Sequence, residues 1–237
     1  MTKKVKDKSK WVLILIIFLT LIIWQLPYGN LILYPFTILG TWFHEMGHGV
    51  MAMLLGADFI RLELYPNGSG LAVHSGNVWF AGLGSAMVAA AGPLVPTLAG
   101  AFLIMASRNG KAVRVLLHVL AIIMLLSVLL YIRSLFGILF ISFFGILLLF
   151  SAMKANDDIR RTILQFLGVQ AFASLYLSMG YLFSSGGNVN GSSYMSDTGV
   201  IADNLYLPHW FWAGAIVAIS VFVMFYSIAY TFRKDRS

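Results

Sequence analysis

The chain has 237 residues, 59% of them hydrophobic and only 11% charged, with a mean hydropathy of +0.86 and a formal net charge of +7. A soluble globular domain carries about 25% charged residues, so this composition excludes a water-solvated surface and defines a polytopic membrane protein. Nucleic acid is excluded as a partner of the positive charge, because the cations lie in short clusters between apolar runs, where topology signals belong, and no basic face interleaves with aromatics.

Along the chain, Lys3, Lys4, Lys6, Lys8 and Lys10 form a basic tail (residues 1–10) abutting a first apolar segment at 11–26, as a juxtamembrane anchor would. Gln25-Leu26-Pro27-Tyr28 is too bulky for a signal-peptide cleavage site, so this segment reads as a retained helix. A second segment, 31–55, contains His44-Glu45-Met46-Gly47-His48. In the polar interlude 56–76, residues 59–65 alternate, with Ile60, Leu62 and Leu64 on one face. Pro66-Asn67-Gly68-Ser69-Gly70 is a turn signal, and 71–74 can return, which predicts a β-hairpin beside the membrane. Such a hairpin serves either as a connector or as an edge on which an extended peptide docks.

A small-residue segment follows at 78–105. The apolar stretch 113–153 is too long for one helix at about 1.5 Å per residue, and Arg133 near its middle divides it in two. After the charged loop 154–161 come a segment at 163–183, a polar loop at 184–208 and a last segment at 209–232. The expectation is an all-α polytopic membrane protein, one domain over 1–237, with six to seven transmembrane helices and a small membrane-adjacent β-hairpin.

The motif at residues 44–48 has the form HExxH. On a helix the two histidines fall at i and i+4, on one face and one turn apart, so both imidazoles can reach one divalent ion while Glu45 lies beside its water. A carboxylate inside an apolar segment is costly unless it is paired or functional, which singles out Glu45 further. Two histidines leave a tetrahedral Zn²⁺ one protein ligand short of a site with an open position. With no cysteine in the chain, the candidates are Asp197, Asp203, His74, His209 and Asp58. If each later segment crosses once, four crossings separate the hairpin from the loop at 184–208 and return the chain to the end of the membrane where His48 lies.

HEMGH in an apolar helix, a following hairpin, Ala91-Gly92-Pro93-Leu94 and a late aspartate together resemble the site-2 protease family of intramembrane zinc metalloproteases, in its compact branch without a PDZ domain. The stretches 165–170, 196–198 and 207–210 are similar to that branch as well. The resemblance implies one Zn²⁺ per chain, held by His44, His48 and Asp197, with Glu45 as catalytic base. The Asn-Pro-x-Asp-Gly form common in the larger family is missing, and Asp197 stands in Ser-Asp-Thr-Gly instead. The implied activity is peptide hydrolysis on membrane-embedded or membrane-adjacent substrates, in regulated intramembrane proteolysis. A membrane-protein substrate and the lipid bilayer are its partners, in a bacterial cell membrane. The rival readings are a non-catalytic scaffold of the same family and a transporter. The sequence sets neither substrate nor oligomeric state.

His118 reads as an interhelical hydrogen bonder and Gly92-Pro93 as a bend or end of a helix turn that permits close packing. If every segment crosses, the N-terminal lysines share a face with the site; seven Lys/Arg then face nine, which does not set the orientation. The family resemblance implies a site nearer the cytosol, with which the lysine-rich start agrees and the basic C-terminus does not.

Overall fold

The computed structural model describes residues 3–189 and 191–233. The order is α1 (Lys3–Gln25), α2 (Gly29–Leu54), β1 (Asp58–Leu64), β2 (Gly70–Ser75), α3 (Gly82–Ala106), α4 (Gly110–Leu130), α5 (Leu135–Lys154), α6 (Asp157–Leu177), α7 (Met179–Leu182), β3 (Gly186–Val189), β4 (Ser192–Met195), α8 (Asp197–Leu205) and α9 (His209–Phe232). Four of these, α3, α4, α5 and α9, are long and apolar enough to cross a membrane, and α1 with α2 makes a fifth if that bent pair is one span.

The helices that pass by length and apolarity thus number four or five, not the six to seven expected from hydropathy, for two physical reasons. Pro27 lacks an N–H and disfavours helix at the residue before it, and across this break α1 and α2 meet at 119°. In α6, Arg160, Arg161, Gln165 and Gln170 are buried among neighbouring helices. The Gln165 amide donates to Ser9 Oγ (3.0 Å) and Ser107 Oγ (3.2 Å), and the Gln170 amide to Thr20 Oγ1 (3.0 Å). Polar groups that would be expensive in lipid thus join α6 to α1 and α3 inside the bundle.

These bonds also define two ends. At one end Lys10 Nζ donates to Phe232 O (3.2 Å), Arg108 to Tyr230 O (2.5 Å) and Arg233 O (3.1 Å), and Arg160 to Ala152 O (2.9 Å), each closing carbonyls at the C-terminus of a helix. Arg108, Lys111 and Arg114 flank the α3–α4 turn at this end; Lys154, Arg160 and Arg161 flank the α5–α6 turn. At the other end lie the hairpin, the α4–α5 turn and the start of α9, where His209 Nε2 is 3.2 Å from Phe183 O. The described cations at this second end are Arg61 and Arg133. Arg61 pairs with Glu63 at 2.8 Å, and hydrogen bonds from Tyr65 and Arg61 hold that carboxyl below the usual carboxylate range. The N-terminal lysines begin α1 at the first end, so the expectation that they share the hairpin's face is also corrected. If α1 and α2 make one span, the crossing parity shifts by one.

The predicted hairpin is present, with Leu62 opposite Ala72 and Leu64 opposite Gly70. Leu62 and Leu64 are fully buried as the alternation requires, but Ile60 is exposed and Phe59 turns inward instead. The register slips between Phe59 and Arg61, and the extra residue of such a bulge moves the preceding side chain to the other face. On its outer side Leu62 exchanges hydrogen bonds with the α4–α5 turn, N–H to Tyr131 O (2.9 Å) and carbonyl from Arg133 N–H (3.0 Å). One edge of the hairpin is thereby covered, as an edge near lipid must be. The stretch 184–208, expected as one polar loop, instead holds the β3–β4 hairpin and α8. Asn190-Gly191 between two short runs is a strong hairpin signal in the sequence, and Ser196 is a helix N-cap.

Candidate metal centre

His44, Glu45 and His48 project from the second half of α2. The i, i+4 spacing brings His44 Nε2 and His48 Nε2 to 3.1 Å from each other. His48 Nδ1 lies 2.8 Å from Val88 O of α3. A carbonyl only accepts, so this contact places the proton on Nδ1 and leaves the Nε2 lone pair directed at the site, the arrangement that metal-ligating histidines use.

Asp197 comes from the N-terminus of α8, and its position is set by its neighbours. Ser196 Oγ accepts from Gly199 N–H (3.1 Å) as the N-cap and donates to Ser184 O (2.6 Å), while Thr198 Oγ1 donates to Leu182 O (2.5 Å). Both hydroxyl residues are fully buried. Ser-Asp-Thr-Gly therefore fixes the aspartate between two pinned hydroxyls at a helix start, where a negative charge also suits the dipole. From there Oδ2 lies 3.1 Å from His44 Nε2 and Oδ1 lies 3.3 Å from His48 Nε2. Apart from this ion-pair contact with His44, the buried Oδ2 has no hydrogen-bond partner among the described residues.

Among the described residues, His44, His48 and Asp197 form the group of three side chains able to hold a metal ion, with their ligand atoms within 4.8 Å of one another. Zinc–ligand bonds of about 2.0–2.1 Å in a tetrahedron imply ligand–ligand edges of roughly 3.3–3.4 Å. The 3.1–3.3 Å contacts are within a few tenths of an ångström of that. Two imidazole lone pairs, a carboxylate and an orphaned buried oxygen make a set that a divalent cation would satisfy.

The other candidates lie apart from this group. Asp203 is exposed, six residues further along α8. His74 lines the cavity from β2 outside the triad, His209 faces Phe183 O, and Asp58 is exposed. His118 bonds back to Arg114 O of its own helix (2.7 Å) rather than across to another.

Two backbone approaches shape the site. Gly92 of α3 lies under both rings: a Cβ there would stand 2.3 Å from His48 Nε2 and 2.7 Å from His44 Nε2. Here α3 continues through Pro93 and Pro96 as a helix, so Gly92-Pro93 acts by close packing and does not end the helix. Gly70 of β2 sits on Glu45, where a Cβ would be 2.7 Å from Glu45 Cγ. Glu45 is buried and takes a hydrogen bond from the Ala72 backbone N–H. Because Leu62 bonds outward on its own side, its partner Ala72 is in a non-hydrogen-bonded pair, and its N–H and C=O point away from β1 toward the site. The free edge of β2 thus faces the histidines, an arrangement the alternation of residues 59–65 did not disclose.

A cavity of about 680 Å³ opens over these groups, walled by β2 on one side and by Tyr181, Gly187 and Tyr194 on the other. The two histidines lie at the level of Gly92, roughly 15 Å inside the start of α3, taking the ten residues from Gly82 to Gly92 at the helical rise. Gly92→Ala is expected to lower metal content to less than half while the protein still accumulates in the membrane, since overpacking of this kind costs about 1–3 kcal/mol. Full metal content in that variant would mean that the rings can move clear.

The helices of this integral membrane protein enclose a His/His/Asp group that could hold a metal ion, beside a buried glutamate. The sequence profile of the Peptidase M50B-like family matches residues 12–227, and the chain belongs to that family, a branch of the site-2 proteases. No curated protein and no solved structure gives a significant match.

Proposed function

We propose that this protein is a zinc-dependent intramembrane endopeptidase that cleaves membrane-embedded or membrane-adjacent protein segments. The observation that carries the reading is the convergence of His44 Nε2, His48 Nε2 and Asp197 at 3.1–3.3 Å, with the Glu45 carboxyl on the same helix turn. A zinc ion held there supplies Lewis acidity toward a carbonyl oxygen and toward water. Glu45 takes the proton of the attacking water on its carboxylate and passes it to the leaving amine nitrogen. The Ala72 N–H and the close approach of Gly70 hold that carboxyl in place. His48 is kept in its ligating tautomer by Val88 O.

A substrate helix in lipid has its carbonyls committed to hydrogen bonds and must unwind before attack. The outward C=O groups of β2, and its outward N–H groups other than that of Ala72, offer the unwound part a partner strand alongside the site. Replacing two leucines near the scissile bond of a model substrate by glycine is therefore expected to speed cleavage about tenfold or more, because glycine lowers helix stability by about 1 kcal/mol per residue. Equal rates in purified protein and detergent would count against strand capture. Elemental analysis of the purified protein, expected to give about one zinc per chain, tests the reading itself; a metal-free protein without peptidase activity would instead support a non-catalytic scaffold.

A further inference from the structure

The cavity wall opposite β2 carries a polar side chain that the chemistry above does not use. Tyr181, on the short helix α7, lines the cavity together with His44, Glu45, His48 and Asp197. Its hydroxyl oxygen accepts the backbone N–H of Asp197, and the carboxylates of Asp197 and Glu45 both act on it electrostatically. Gly187 of β3 passes close against the ring, where a Cβ would stand 3.3 Å from two ring carbons, so the ring is braced on that side. The half-buried phenol is thus held between the base and the third member of the metal group.

Several other hydroxyls of the cavity have their hydrogens committed. Thr41 Oγ1 donates to Gly68 O (2.7 Å), Ser174 Oγ to Ala171 O (2.7 Å) and Ser178 Oγ to Ser174 O (2.8 Å). The Tyr181 hydrogen has only a long contact, 3.4 Å to Met195 O, and such a bond is weak enough to give up for a stronger acceptor. A phenol keeps its proton at neutral pH, and burial, then Asp197 and Glu45, push this one above its ordinary range. His74 also lines the cavity, but it is exposed and stands on the opposite wall, where β2 takes up the peptide.

Attack of water on a peptide carbonyl moves the C=O electron pair onto oxygen, and donors aimed at that developing charge are among the largest contributions to such catalysis. We propose that Tyr181 is one of them: its O–H turns from Met195 O and donates to the scissile carbonyl oxygen as that oxygen becomes negative. The phenol keeps its proton throughout, so the transfer from water to Glu45 and on to the amine is unaltered. The assignment rests on the protease reading and adds to it a residue that touches a reacting atom. Because the bond strengthens only as charge develops, its loss falls on kcat and leaves KM alone.

Tyr181→Phe removes the hydroxyl and keeps the ring against Gly187. In the purified full-length protein acting on the glycine-substituted model substrate, kcat is expected to fall about 100-fold, with KM within about twofold and zinc content unchanged. A phosphinic peptide of the same sequence, whose tetrahedral P–O⁻ mimics the charged intermediate, is expected to bind the variant at least tenfold more weakly, a readout that needs no turnover. Undiminished kcat overturns the assignment, as does a fall in kcat without weaker phosphinic binding. Loss of zinc overturns it too, since the phenol would then act only by supporting Asp197 through its backbone N–H. A natural chain that neither cleaves the substrate nor holds the phosphinic peptide sinks the protease reading and this assignment with it, so the two failures are told apart by whether the natural chain or only the variant shows the defect.

Discussion

Glu45→Gln is expected to keep its full complement of metal and to lose two to four orders of magnitude in cleavage rate, the usual range for removal of a general base. The amide has the size of the carboxyl it replaces. Its oxygen can still accept the Ala72 N–H, and its methylenes still pack on Gly70. None of the three ligand atoms belongs to residue 45, so the metal centre is left intact. What disappears is a basic oxygen able to take a proton from water. Elemental analysis and a cleavage assay on the same preparation separate the two effects. Undiminished cleavage would remove Glu45 from the chemistry, whereas loss of metal would show that it supports the centre.

The second large effect concerns the two late aspartates, which spacing along the chain does not distinguish. Asp197→Ala is expected to reduce zinc content at least tenfold, because it takes away the oxygens that lie 3.1 Å and 3.3 Å from the two histidines. Asp203→Ala removes an exposed carboxyl further along α8 and is expected to leave metal content unchanged. Both variants keep Ser196 and Thr198, whose hydroxyls anchor the start of α8, so the local fold is the same in each. The reverse pattern would place the third ligand elsewhere.

Much of this architecture is legible in the sequence, because hydrophobic length, the HEMGH spacing and the turn at 66–70 are local signals. The i, i+4 histidines need only one helix to meet, and residues 44–48 supply it. Features that depend on distant contacts were not legible. Whether α1 and α2 count as one crossing or two depends on the angle at Pro27, and that angle decides which end receives the N-terminal lysines. Segment 163–183 has the length of a span, yet Gln165 and Gln170 turn it inward toward Ser9, Ser107 and Thr20. Ile60 fits the alternation until one bulge reverses it. Asn190-Gly191, by contrast, is a local signal, and the Gly/Ser/Asn richness around it conceals a hairpin.

The three side chains of the candidate metal centre are also far apart in the order of synthesis. Two come from a single turn of α2, and the third arrives about 150 residues later, on a short helix tied down by Ser184 and Leu182. A nascent chain that has inserted only its first helices therefore holds two imidazoles and a glutamate but no completed centre. On the protease reading, the centre is complete only once nearly all of the chain is folded in the bilayer.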